Sequence, residues 1–104
     1  MFIENLDTLL PELTPGSVVS RAFLKTDSLN ATLFGFDAGE GLTEHTSSYP
    51  AVLHFLDGDA ELTLGEEKMQ ARAGAWVYMP PNLPHSILAK NAVKMLLLLI
   101  IKKG

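Results

Sequence analysis

The sequence contains no cysteine, and this absence excludes disulfide bonds, thiolate metal ligands and a cysteine nucleophile. Basic residues are also few, since 8 Lys and Arg stand against 12 Asp and Glu and give a formal net charge of −4 at pH 7. A chain without a basic stretch has little attraction for a phosphate backbone, so we expect no nucleic-acid partner. The lack of cysteine also fits a reducing compartment, and we expect a cytoplasmic protein.

Long hydrophobic runs are missing as well. The most apolar stretch, residues 95–101, has seven residues, whereas a helix needs about 20 apolar residues to span a bilayer. We therefore expect no membrane partner and predict that this stretch is a buried strand. The chain begins Met-Phe-Ile-Glu, with an acidic residue where a secretory signal would carry basic ones.

Glycine and proline, by contrast, recur at short intervals, with 8 Gly and 6 Pro in 104 residues. Such intervals are too short for long helices and are typical of short strands joined by turns, so we predict an all-β fold of about nine strands. One helical turn is predicted at residues 5–10, before Pro11. So many short antiparallel strands fit a jelly roll of two sheets, which we expect to form a single domain over residues 1–104.

Two hairpins are predicted, each from a turn sequence between β-prone segments. The first covers residues 18–36 around Thr26-Asp27-Ser28, and the second covers residues 51–64 around Asp57-Gly58-Asp59. An Asp-Gly pair tolerates the positive φ angles of tight turns, which supports the second assignment.

Between residues 39 and 89, glycine, proline and histidine fall into two spaced groups. These are Gly39, His45 and Gly58, and then Gly74, Pro80 and His85. The arrangement resembles the two sequence motifs of the cupin family, with Asn82 where the second motif usually has glycine. The resemblance implies a cupin β-barrel of two antiparallel sheets, in which both motifs lie on strands that meet inside the barrel. His45 and His85 are therefore expected to converge on one cavity.

The resemblance also implies a metal centre, and here the sequence departs from the family. The family's centre has four ligands, but Ser47 stands at the place of the second histidine and Ala51 at the place of the carboxylate. A catalytic transition-metal site normally takes three or more protein ligands. Two alternatives stay open. Either the chain holds no metal, or His45 and His85 bind a divalent transition metal (Zn, Mn, Ni or Fe) with water or an unrecognised third ligand. The candidates for that ligand are Tyr49, Glu40 and the hydroxyl of Ser47.

Strand parity and side-chain chemistry suggest which other residues belong to the cavity. Successive side chains of a strand point to opposite faces, so His54 has the opposite parity to Ala51 and is predicted to face away from the cavity. Aromatic side chains suit an apolar ligand cavity that a few polar groups complete. The candidate ligand-binding residues are His45, His85, Ser47, Tyr49, Trp76 and Tyr78.

Several functional hypotheses follow from these residues. We expect a binding module, a cupin whose cavity accepts a small organic molecule, with His45 and His85 as polar anchors in an incomplete metal centre. The alternative is a metal-dependent enzyme, like the cupin dioxygenases or isomerases, in which an unrecognised third ligand completes the site. A third hypothesis is a regulatory or structural role that the chain plays through its dimer partner. The interpretation of the two histidines as framework residues that bind nothing also stays open. The resemblance and the apolar residues 93–101 predict a homodimer.

Overall fold

The computed structural model describes residues 1–10 and 12–101. In this part of the chain nine strands form two antiparallel sheets, so the prediction of an all-β jelly-roll fold is confirmed. The helical turn is the 3-10 helix Leu6–Leu9, whereas Pro11 lies outside the described residues. No helix among the described residues is long and apolar enough to cross a membrane. The strands are β1 (Val18–Lys25), β2 (Leu29–Phe36), β3 (Gly41–His45), β4 (Ala51–Asp57), β5 (Asp59–Leu64), β6 (Glu67–Arg72), β7 (Trp76–Met79), β8 (His85–Ala89) and β9 (Val93–Ile100).

The two sheets differ in size. The larger has five strands in the order β1-β2-β9-β4-β7, and the smaller has four in the order β3-β8-β5-β6. The predicted hairpin of residues 18–36 is confirmed, because β1 pairs with β2 on either side of the predicted turn.

The turn Asp57-Gly58-Asp59 joins the two sheets instead of closing a hairpin. β4 pairs with β7 and β9, whereas β5 pairs with β6 and β8, so the predicted hairpin of residues 51–64 is wrong. Gly58 has a φ of +86°, and a Cβ there would overlap the carbonyl group of Ala92. An Asp-Gly pair suits a sharp turn in either setting. Long-range strand pairing, which this dipeptide does not encode, decides between them.

The inward-facing side chains of both sheets form one hydrophobic core. Its buried members include Phe36, Leu53, Phe55, Leu62, Met79, Ile87, Val93 and Met95. In β9, Leu97 and Leu99 pack against this core, while Leu96 and Leu98 alternate with them on the outer face of the sheet. On the outer face, Leu96 pairs with the buried Leu33 of β2 and Leu98 with the buried Val52 of β4. Both faces of β9 are therefore apolar, which explains the apolar run in the sequence.

Several loops gather at one end of the barrel, which we call the mouth. The mouth comprises the β1–β2 turn (residues 26–28), the β3–β4 loop (residues 46–50) and the β7–β8 loop (residues 80–84). Backbone hydrogen bonds connect these loops to each other and to neighbouring segments. The donor and acceptor pairs are Ile101 N to Ser28 O (2.9 Å), Ile100 N to Pro50 O (2.9 Å), Asn82 N to Ser47 O (2.7 Å) and Gly65 N to Pro84 O (2.8 Å).

Candidate functional site

His45 and His85 lie side by side at the mouth. His45 is the last residue of β3 and His85 is the first of β8, and the antiparallel register pairs them directly. Their ring centroids are 4.1 Å apart and the ring planes meet at 60°. The structure therefore brings the two histidines together, as predicted, whereas their convergence on one cavity stays a prediction. The pairing of β3 with β8 also depends on Gly41, since a Cβ there would overlap the carbonyl oxygen of Ile87.

Each imidazole is held by a backbone carbonyl two residues earlier in the chain. The Nδ1 atom of His45 lies 2.7 Å from the carbonyl oxygen of Thr43, and that of His85 lies 2.9 Å from the carbonyl oxygen of Leu83. A carbonyl oxygen only accepts hydrogen bonds, so we assign the proton of each neutral ring to Nδ1. The Nε2 atom of each ring then carries a lone pair, and neither Nε2 has a hydrogen-bond partner among the described residues.

The two rings differ in their exposure to solvent. His85 is buried, with 7% of its surface exposed, whereas His45 is exposed. Burial lowers the pKa of His85, the Leu83 carbonyl partly offsets this by favouring the charged form, and the charge of the nearby His45 lowers the pKa further. His85 is therefore neutral at pH 7, and its Nε2 is a hydrogen-bond acceptor.

Ser47 and Tyr49 lie in the loop that follows His45. The Ser47 Oγ accepts a hydrogen bond from the Tyr49 backbone N–H at 3.1 Å, and the Ser47 carbonyl accepts one from the Asn82 N–H. Asn82 has a φ of +67°, a left-handed conformation that asparagine tolerates better than most residues. Asparagine can therefore replace the glycine that is usual in the motif. These contacts connect the loops after β3 and β7, and they place Ser47 and Tyr49 at the mouth.

Trp76 and Tyr78 do not belong to this site. In β7, Val77 and Met79 pack into the core, so Trp76 and Tyr78 point to the opposite face, where 62% and 51% of their surfaces are exposed. The expectation that these two aromatic residues line the barrel cavity is corrected by this strand parity. His54 pairs with Trp76 and lies on the same outer face, as the sequence predicted.

The residues at the mouth do not fit the four-ligand metal centre of the family. Ala51, at the place of the carboxylate, is buried and packs in the core. No group of three or more His, Asp or Glu in the described part of the chain is arranged to hold a metal ion. Glu40 precedes β3, whereas His45 ends it, and Glu40 lines a groove on the outer face of the smaller sheet. Binding of Zn, Mn, Ni or Fe by the two histidines stays a prediction.

One partly enclosed cavity and two open grooves in the described part of the chain lie away from the histidines. A groove of about 640 Å³ crosses the outer face of the smaller sheet, and a cavity of about 240 Å³ lies between the N-terminal segment and the larger sheet. A third, of about 200 Å³, lies at β5 and β6. Because large side chains such as Phe36 and Phe55 fill the barrel interior, the histidines are placed at the mouth of a packed barrel.

The comparisons with known proteins agree with this fold. The Cupin domain family model matches residues 32–101, and the chain therefore belongs to the cupin family. A conserved protein from Streptococcus pyogenes is 28% identical, with a TM-score of 0.80, over 88% of this chain and 80% of that protein. A cupin superfamily protein from Desulfitobacterium hafniense DCB-2 is 27% identical, with a TM-score of 0.86, over 93% of this chain and 88% of that protein.

A more distant neighbour is an enzyme. Salicylate 1,2-dioxygenase from Pseudoaminobacter salicylatoxidans is 13% identical, with a TM-score of 0.77, over 90% of this chain and 29% of that protein. At this level of identity the likeness shows the fold alone. A search of curated proteins finds no match.

Proposed function

We propose that this chain is a cupin that binds a small organic molecule at the mouth of its barrel, with His45 and His85 as polar anchors. The observation that carries the proposal is that the two imidazoles lie side by side and that a backbone carbonyl orients each of them in the same way. Each Nδ1 is held by a backbone carbonyl, which leaves two Nε2 atoms without a protein partner on rings 4.1 Å apart. A ligand bound over the two rings would supply a hydrogen-bond partner to each Nε2 atom.

The chemistry of these two atoms limits the ligand. In neutral rings both Nε2 atoms accept hydrogen bonds, so they suit a ligand that carries hydroxyl or other donor groups. When His45 is protonated, its Nε2 becomes a donor and suits a carboxylate. The buried environment of His85 disfavours its charged form, so at neutral pH the pair contains at least one acceptor.

A nitrogen-detected NMR titration tests the proposal. The imidazole signals of the full chain would be followed during addition of small polyols and of small dicarboxylates such as malonate and succinate. We expect a saturable shift of the His45 and His85 Nε2 signals, and loss of binding in His45→Ala and His85→Ala. His54→Ala is the matched control, because His54 lies on the outer face and should leave binding unchanged. If the probes do not shift these signals, or if binding survives both mouth substitutions, the proposal is wrong.

The second candidate function is the metal-dependent enzyme. The observation in its favour is the assigned tautomer, because histidine ligands commonly donate their second ring N–H to a carbonyl and present the other nitrogen to the metal. Two such ligands fall short of the three that catalytic sites usually have. Elemental analysis of protein purified without a metal-binding tag separates the two functions. A near-stoichiometric transition metal would favour the enzyme over the binding module.

A further inference from the structure

Asn30 carries a buried polar atom that the fold leaves without a partner. Among the described residues, its Oδ1 is the only buried side-chain nitrogen or oxygen without a hydrogen-bond partner. A buried carbonyl oxygen that has lost its water without gaining a donor destabilises the fold. Such an atom therefore needs an explanation, and a ligand that donates a hydrogen bond to Oδ1 would supply one.

The strand register directs Asn30 toward the barrel interior. Asn30 pairs with Leu99, and along the same strands Phe34 pairs with Met95 and Phe36 with Val93. Leu99, Met95 and Phe36 all belong to the core or pack against it. Because Asn30 shares their parity, its side chain lies on the inner face of the larger sheet.

The same register places Asn30 at the mouth. Leu99, its partner on β9, pairs in turn with Ala51 at the start of β4. Asn30 is the second residue of β2, directly after the turn whose Ser28 carbonyl accepts a hydrogen bond from Ile101. Facing sheets pack about 10 Å apart. Asn30 and the histidine pair thus lie on opposite walls of the same barrel end.

We propose that Asn30 is a third ligand-binding residue, whose Oδ1 accepts a hydrogen bond from a hydroxyl group of a small neutral molecule that the two histidines also hold. This inference rests on the proposed function and adds a residue and a ligand chemistry to it. Oδ1 of Asn30 and the two Nε2 atoms are all acceptors when the rings are neutral, so they call for a ligand with several donors.

The test compares binding and stability of the full chain with Asn30 and with Asn30→Leu. The probes are three- to six-carbon polyols and aldoses, each paired with an analogue that lacks one hydroxyl group. We expect Asn30→Leu to weaken the affinity for a bound polyol by roughly tenfold or more. One deoxy analogue should lack the hydroxyl group that donates to Oδ1. The affinity of Asn30→Leu for that analogue should stay within roughly twofold of the native protein's affinity for it, because Oδ1 has no donor there to lose.

Thermal stability gives a second readout, because a ligand-binding role and a structural role of Asn30 predict opposite shifts of the unfolding midpoint. Because Oδ1 has no partner in the protein, Asn30→Leu should keep or raise the midpoint of thermal unfolding. A lower midpoint together with unchanged polyol binding would show that Asn30 is structural, satisfied by an internal water, and would overturn the inference.

The two proposals fail in different ways. If His45→Ala and His85→Ala abolish binding while Asn30→Leu does not affect it, the inference about Asn30 is wrong and the binding function stands. If a dicarboxylate binds at the histidines but no polyol does, the inference about Asn30 is wrong and the binding function stands. If no probe of either class binds, or if none of the three substitutions affects binding, both are wrong.

Discussion

The two sheets of the barrel present different outer faces. The outer face of the larger sheet carries exposed apolar side chains, with Trp76, Tyr78 and Ile100 exposed by 62%, 51% and 37%. The outer face of the smaller sheet is mostly polar, with Thr63 and Ser86 lining its groove and an ion pair of 3.6 Å between Lys68 and Glu61. A polar face is suited to water, whereas a contiguous apolar face is typical of a surface that meets another molecule.

The inner faces of the two sheets differ as well, and here the difference concerns the site. The smaller sheet contributes His45 and His85, the ligand positions that remain from the family pattern. The larger sheet contributes Ala51 in place of the carboxylate and Asn30 two strands away. The comparison indicates that one wall of the mouth keeps two of the four ligand positions of the family pattern, whereas the other wall carries Ala51 at the place of the carboxylate and the neutral amide of Asn30.

The largest expected effect concerns the packing that both sheets share. Phe55 in β4 is fully buried in the core, so Phe55→Ala should lower the free energy of unfolding by about 3–5 kcal/mol. Leu88 lies on the outer face of the smaller sheet with 48% of its surface exposed, so Leu88→Ala should cost less than about 1 kcal/mol. Urea titration followed by tryptophan fluorescence measures both. Equal losses would contradict the contrast between inner and outer faces.

A second prediction restores the carboxylate to the larger sheet. The double substitution Ser47→His and Ala51→Glu places four ligands where the family pattern has them, and Mn²⁺, Zn²⁺ or Ni²⁺ affinity should rise by roughly a hundredfold, or about 2.8 kcal/mol. Isothermal titration of both proteins measures the change. The same titration after His45→Ala shows whether the metal occupies this site.

The metal affinity of the native protein decides whether this prediction is contradicted. If it already binds these metals as tightly as the restored protein, an unrecognised ligand such as Tyr49 completes the native site. The preference for the binding module over the enzyme would then be wrong.

The third prediction concerns the apolar outer face. The sequence predicts a homodimer, and we expect a second copy of the chain to cover the larger sheet around Trp76 and Tyr78. Trp76→Asp should weaken the dimer by about 2 kcal/mol or more, because large aromatic side chains dominate interface energies. Analytical ultracentrifugation at micromolar concentration measures the mass, with Leu88→Asp on the polar face as the control. A monomeric native protein, or equal effects of the two substitutions, would contradict the prediction.

Much of the fold could be predicted from the sequence, because turn residues and strand alternation are local signals. The 18–36 hairpin and the outward orientation of His54 both follow from them. The second predicted hairpin was wrong because Asp57-Gly58-Asp59 fits a corner between sheets as well as a hairpin turn. Which of the two forms depends on pairing with strands that follow later in the chain.

The candidate site was predicted in part. The motif spacing located His45 and His85, but aromatic chemistry alone wrongly assigned Trp76 and Tyr78 to the cavity, although the strand parity of buried Met79 indicates the opposite face. Asn30 was missed. Its signal was available in strand parity, because Asn30 shares a face of β2 with the apolar Phe34 and Phe36. The carbonyl partners at Thr43 and Leu83 are backbone groups, and no side-chain pattern encodes them.

The smallest expected effect distinguishes a histidine on the inner face from one on the outer face. The pKa of His85 is lowered from its ordinary value of 6.5, mainly by burial. Below pH 6.5 the unfolded chain therefore takes up a proton at His85 that the folded chain does not yet bind. The free energy of unfolding should fall as the pH drops from about 6.5 to the lower folded pKa. Above pH 6.5, the stabilisation that comes from keeping His85 neutral should be fully present.

Urea titrations between pH 5 and pH 7.5 measure this slope in the native protein and in two substituted proteins. His85→Gln should reduce the slope, because it removes the group whose proton affinity differs between the folded and unfolded chains. His54→Gln, on the outer face, should retain the slope of the native protein. If the two substitutions change the slope equally, the contrast between the buried ring of the smaller sheet and the outer ring of the larger sheet does not determine the acid sensitivity of this fold.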